Sequence, residues 1–72
     1  MSETQTIEIV LNGETRRVDP GLSVLSLLGQ LGIDPERVAV EMNREIIRQP
    51  DWPKSPVSPG AQIEIVQFVG GG

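Results

Sequence analysis

The sequence contains no cysteine and no histidine. The first absence excludes disulfides, thiolate metal sites and a catalytic thiol. The second removes the usual general base near neutral pH and the commonest metal ligand. Aromatic side chains are scarce, with one Trp, one Phe and no Tyr, and the sole lysine is Lys54. Six basic residues against ten acidic ones give a net charge of -4, which disfavours nucleic acid and anionic membrane as partners, because both need a basic surface. No apolar run approaches the roughly 20 residues that span a bilayer. The segment Met1 to Thr6 is polar and carries Glu3, so it lacks the basic region and apolar run of a signal peptide. The expected location is the cytoplasm. Seventy-two residues allow one domain, which at this size buries only about 60% of the surface its unfolded chain exposes. A deep active site with its own walls does not fit. These absences point away from a self-sufficient enzyme and towards a binding module or a carrier that binds no metal or cofactor itself.

What is present is a clear succession of local signals. From Thr6 to Asn12, Ile7, Ile9 and Leu11 alternate with period two, the pattern of a half-buried strand. Asn12-Gly13 is a strong hairpin signal, since both turn positions favour positive φ. Glu14 to Asp19 returns as a more polar strand with Val18 inward, and Arg16 and Arg17 suit a sheet edge. Pro20-Gly21 breaks it. Ser23 is a good helix N-cap; Val24, Leu27, Leu28 and Leu31 then share one helix face. Gly32 supplies a left-handed C-cap, and Pro35 prevents resumption. Gly29 inside the helix costs roughly 1 kcal/mol relative to alanine and is a candidate for close packing.

Val38 to Asn43 alternates again, with Val38, Val40 and Met42 on one face. A turn at Asn43-Arg44 leads into a short strand, Glu45 to Arg48. Pro50 to Pro59 holds four prolines, Trp52 and Lys54 and reads as an irregular connector, with Trp52 covering one end of the core. Gln62 to Val69 is the last strand, Ile63 and Ile65 on one face and Glu64, Val66 and Phe68 on the other. One helix can cover one face of such a sheet, so the fold class is α+β, a two-layer domain. The apolar last strand belongs at the centre beside the first, which gives a β-grasp, ubiquitin-like mixed sheet over residues 1–69. Val10, Val66 and Phe68 then lie on the face the helix leaves open, a candidate docking surface for a partner. Scattered carboxylates such as Asp34, Glu36, Glu41 and Glu45 show no metal-ligand spacing and read as solvated surface.

Residues 70–72 are Gly70-Gly71-Gly72. Three glycines cannot hold regular structure and are expected to form a thin, flexible arm ending in the Gly72 carboxylate. A frayed end is the plain alternative. A carboxylate is a poor electrophile until adenylation gives it a good leaving group, and an arm without side chains suits passage to an α-phosphate in a narrow channel. Attack by sulfur on the acyl-adenylate gives a thiocarboxylate; attack by an amine gives a conjugate. With no thiol in the chain, any sulfur it carries sits on the C-terminal carboxyl group.

These residues together resemble the ThiS-type sulfur carrier family of thiamine biosynthesis, which has the ubiquitin-like β-grasp fold. The resemblance runs from about Ile7 to Gly72. It rests on the Asn12 turn, the helix start Ser23 to Leu28, Val38 to Asn43, Pro50-Asp51-Trp52, and Ile63 to Gly72. Two departures are visible: Gly60-Ala61 where the family usually has Gly-Asp, and Arg48 without the preceding proline, so no role is carried onto Arg48. The resemblance implies that Gly72 is adenylated by a ubiquitin-activating-type enzyme using ATP and magnesium. It then takes sulfur from a donor such as a cysteine desulfurase and delivers it to thiazole synthase, with Gly70 and Gly71 as the arm. The carrier is then a co-substrate without catalytic residues of its own. Alternatives are a carrier for molybdopterin synthesis, a ubiquitin-like protein modifier, and an interaction module with an inert tail.

Overall fold

The computed structural model describes residues 5–68. In chain order the elements are β1 (Ile7–Leu11), β2 (Glu14–Val18), α1 (Val24–Leu31), β3 (Val38–Met42), β4 (Glu45–Ile47) and β5 (Gln62–Gln67). Short 3-10 turns, Pro35–Arg37 and Gln49–Lys54, fill two of the connections. The sheet order is β2-β1-β5-β3-β4. β5 lies at the centre, parallel to β1 and antiparallel to β3, while both hairpins, β1-β2 and β3-β4, are antiparallel. This is the mixed, two-layer β-grasp expected from the sequence, with the arginine-bearing β2 at an edge.

Local chemistry explains the boundaries. Asn12 and Gly13 take φ of 49° and 83°, and Asn43 and Arg44 take 53° and 71°; two positive-φ residues in succession make the tight turn whose twist matches a hairpin. The Ser23 hydroxyl accepts from the Ser26 amide at 3.1 Å and caps α1. Gly32, with φ of 74°, ends it in the left-handed region, and its N–H donates to the Gly29 and Leu28 carbonyls, satisfying orphan acceptors of the last turn.

One face of the sheet and one face of α1 enclose the core. Ile9, Val40 and Ile63 from three strands meet Val24, Leu27 and Leu28 of the helix, and all are essentially buried. Val18, Val38, Val57 and Ala61 extend the cluster, and Leu31 and Met42 are partly buried against it. Trp52 is 2% exposed, and its indole N–H donates to the Ile47 carbonyl at 2.8 Å. A buried tryptophan with its polar edge satisfied seals the end of the core between α1 and β4.

Four details differ from the sequence reading. The proline-rich connector is ordered as a 3-10 turn around Trp52, because Pro50 sits at its first turn, where no amide donor is needed. Pro35 stops α1 from resuming but itself opens the Pro35–Arg37 turn, whose amide at Glu36 is capped by the Asp34 carboxylate at 2.9 Å. Gly29 is not a close-packing site: a Cβ built there meets nothing within 4 Å. The strand ends are also a residue or so shorter than the alternation suggests; β5 stops at Gln67.

Candidate functional site

The side chains singled out on the open face belong to the alternate positions of the same strands that build the core. Ile63 of β5 is 1% exposed, and period two turns Val66 outward, at 60% exposure; Phe68, just past the strand, is 58% exposed. Val66 stands opposite Ala39 of β3. Two strands away, on β4, Ile46 is at 77% the most exposed large apolar side chain among the described residues. Ile46 faces outward because its neighbour Ile47 is Val40's cross-strand partner and follows Val40 inward. Together Ala39, Ile46 and Val66, with Glu41 and Glu64, line a shallow hollow of about 190 Å³.

Two carboxylates sit at that hollow. Glu41 and Glu64 are direct cross-strand partners, and Glu41 is also paired with Ile46. Like charges directly opposite one another are mildly destabilising in a sheet. On the same face, Arg17 of β2 stands opposite Glu8 of β1, on the far side of β5. The one ion pair among the described residues, Arg37 to Asp34 at 3.8 Å, lies on the Pro35–Arg37 turn. Among the described residues, no group of three or more acidic side chains could hold a metal ion. No helix there is long and apolar enough to cross a membrane.

The sequence-predicted residues are only partly brought together. Val66 and Phe68 share one end of β5. Val10 is half-buried and stands opposite Gln62, at the other end. Gln62 and Val66 lie about 13 Å apart along the strand. The patch at Val66 is completed instead by Ile46. Beyond Gln67 the chain stays on the β3 side, where the Phe68 amide donates to the Arg37 carbonyl at 2.8 Å. Gly70, Gly71 and Gly72 lie outside the described residues.

Comparison with known proteins bears on the whole arrangement. A model of the ThiS family matches residues 9–72. A solved structure of a thiamine biosynthesis protein (ThiS) from Geobacter metallireducens is 32% identical, superposes with a TM-score of 0.81, and covers 92% of this chain and 100% of its own. A thiazole synthase from Paramagnetospirillum magneticum is 42% identical over 66 residues, which are 92% of this chain but 20% of that protein. One from Magnetococcus marinus is 38% identical over the same shares. The chain thus spans about a fifth of the length of these two relatives. The protein ycf40 of Porphyra purpurea, itself uncharacterized, is 31% identical over 94% of this chain and 96% of its own length. With a family match that begins within β1, takes in every later element of the fold and runs on through the glycine ending, the chain belongs to the ThiS family.

Proposed function

We propose that the protein is a sulfur carrier of thiamine biosynthesis whose working group is the Gly72 carboxylate. The observation that carries this reading is the extent of the family match, residues 9–72, which takes in the β-grasp body and the three glycines together. In the proposed cycle a Gly72 carboxylate oxygen attacks the α-phosphorus of ATP, held with magnesium by a ubiquitin-activating-type enzyme. The bond to pyrophosphate breaks and an acyl-adenylate forms. A sulfur nucleophile at the oxidation level of hydrosulfide then attacks the carbonyl carbon and AMP leaves. The product is a C-terminal thiocarboxylate. The chain supplies no proton-transfer group; its own tasks are to dock and to present the carboxyl group.

The docking task falls to the open face. Ile46, Val66 and Phe68 form an apolar surface beside the last strand, and Glu41 and Glu64 offer it two acceptors for a basic side chain of the activating enzyme. Val10 belongs to the same face at its far end and contacts only a partner whose footprint extends that distance. Delivery of the sulfur to thiazole synthase is supported by the two relatives of that name, which include a segment similar to this chain. A carrier and its acceptor joined in one polypeptide is a natural arrangement for a transfer between them.

The test is intact-mass spectrometry of the protein after incubation with ATP, magnesium, the activating enzyme, a cysteine desulfurase with cysteine, and a thiol reductant that brings the persulfide sulfur of the desulfurase to the hydrosulfide level. The expected product carries one sulfur in place of one oxygen, and an alkylating reagent adds once to a chain that has no cysteine. A mass unchanged under these conditions, or an isopeptide-linked adduct on a target lysine, contradicts the carrier reading.

A further inference from the structure

The parallel pairing of β1 with β5 continues past the end of β1 by means of a side chain. Its main-chain rungs run from the Val10 amide to the Ala61 carbonyl at 2.9 Å and from the Asn12 amide to the Ile63 carbonyl at 2.8 Å. In a continuing parallel ladder the Ile65 amide would next donate to the Asn12 main-chain carbonyl. At Asn12, however, φ is 49° and the chain turns away into β2. The carboxamide takes over. The Ile65 N–H donates to Asn12 Oδ1 at 2.8 Å, and Asn12 Nδ2 donates to the Ile65 carbonyl at 3.3 Å. A carboxamide has the donor and acceptor of a peptide group, so it can replace one. On the other flank Asn43 does the same at the start of the strand: its N–H donates to the Gln62 carbonyl at 2.7 Å and its Oδ1 accepts from the Gln62 amide at 3.0 Å. Both asparagines occupy positive-φ turn positions, yet each also grips β5.

We infer that Asn12 is a positioning residue: its carboxamide is the last rung on the β1 side of β5 and fixes the line along which that strand leads to the glycine ending. The functional role rests on the carrier reading; the rung itself does not. Beyond Ile65, the backbone hydrogen-bond partners of this segment come from β3 and the Arg37 carbonyl alone among the described residues. Without the Asn12 rung, the outgoing half of the strand is held from one side.

The discriminating variant is Asn12→Asp. Aspartate keeps the turn preference, since Asp-Gly and Asn-Gly both favour this hairpin. Ionised, the introduced carboxyl group accepts from the Ile65 amide but turns an oxygen towards the Ile65 carbonyl, where a donor is required. Protonated, it again offers one acceptor and one donor. The neutral form is therefore favoured in the folded state, and the folded pKa of the introduced carboxyl group lies above its unfolded value of about 3.9. The stability deficit is then absent below that unfolded value and grows as pH rises through the folded one. The neighbouring carboxylates are Glu14 on β2 and Glu64 on β5, with Glu41 of β3 beyond; they push the same way, so the comparison is repeated with E14Q and E64Q in both chains. Asn12→Gly keeps positive φ and removes the rung at every pH.

At pH 7 both N12D and N12G should melt about 5 °C below wild type, as expected for one lost hydrogen-bonded rung in a domain of this size. At pH 3.5 the N12D deficit should close while that of N12G persists. An N12D chain that matches wild type at pH 7, or whose deficit is unchanged at pH 3.5 in the E14Q/E64Q background, overturns the rung. In pyrophosphate exchange with the activating enzyme at pH 7, both variants should keep a half-saturating concentration near that of wild type, because the docking face is untouched. Their maximal rates should fall about tenfold, short of the roughly hundredfold that a full ~1 Å misplacement can cost. Maximal rates equal to wild type overturn the positioning role. Failure of wild type itself to exchange contradicts the carrier reading instead, and the melting comparison still decides the rung.

Discussion

The two faces of the sheet are made by the same strands and have opposite fates. On the helix side, Ile9, Val40 and Ile63 are 0–2% exposed. On the other side Ile46, Val66 and Phe68 are 58–77% exposed. Ile63 and Val66 are three residues apart on β5, chemically alike, and separated by the period of the strand alone. The contrast divides labour: one face holds the domain together and the other is available for recognition. Exposed apolar side chains clustered beside a hollow contribute little to stability and are costly to leave in water unless a partner covers them.

The strongest way to break the comparison is to remove a side chain from the buried face. Ile63→Ala should destabilise by about 2–5 kcal/mol. For a domain this small, whose total stability is on the order of 5 kcal/mol, that removes a large part of it. Urea denaturation followed by Trp52 fluorescence measures it. A loss below about 1 kcal/mol would mean that β5 does not anchor the core.

On the open face the same kind of change should act on binding and spare stability. Replacing Ile46, Val66 and Phe68 together with serine removes apolar area capable of contributing several kcal/mol at an interface before the costs of association, about 1.5–3 kcal/mol per fully buried side chain. Affinity for the activating enzyme should fall by roughly tenfold or more, while the urea midpoint stays close to wild type. Titration calorimetry with an unchanged dissociation constant would place the docking surface elsewhere.

Much of this arrangement is legible from local signals. Alternation at Ile7, Ile9 and Leu11, the Asn12-Gly13 turn, the Ser23 cap and the Gly32 ending each depend on a few neighbouring residues, and each stands where the pattern puts it. What local pattern cannot show depends on distance. Ile46 lies in a strand of three residues, too short to show a period; its outward direction is set by Ile47 joining Val40. The grip of Asn12 on Ile65 joins residues 53 positions apart, and within its own segment Asn12 reads simply as a turn residue. The 3-10 turn at Gln49–Lys54 is hidden by its prolines, which mark the end of an α-helix but are compatible with the first turn of a tighter one. Val10 shares a face with Val66 by alternation, but the parallel register separates them along the strand. The role of the glycines rests on chemistry and family resemblance, and Gly70 to Gly72 lie outside the described residues.

Smaller effects sharpen the helix side of the contrast. Ser23→Ala removes the acceptor for the Ser26 amide and should cost about 1 kcal/mol, read as a lower melting temperature by calorimetry. Gly29→Ala should act in the opposite direction. The position is helical and exposed, its φ is not in the left-handed region, and an added Cβ meets open space. A gain of about 0.5–1 kcal/mol is expected from the reduced entropy of the unfolded chain. A destabilised G29A chain would show that the helix surface is covered in a way its exposure does not suggest.

The central claim is that the body of the domain exists to present one carboxylate, and it is tested most directly at Gly72. Deleting that residue shortens the reach by about 3.5 Å; adding one alanine after it lengthens the reach and introduces a Cβ. Neither change touches the core, so unfolding midpoints should agree with wild type within a few degrees. The measurement is carrier-dependent exchange of pyrophosphate into ATP by the activating enzyme. Wild type should support exchange, and both variants should lose nearly all of it, since a misplacement of ~1 Å can already cost about a hundredfold. Full exchange by the chain that lacks Gly72 would contradict the account.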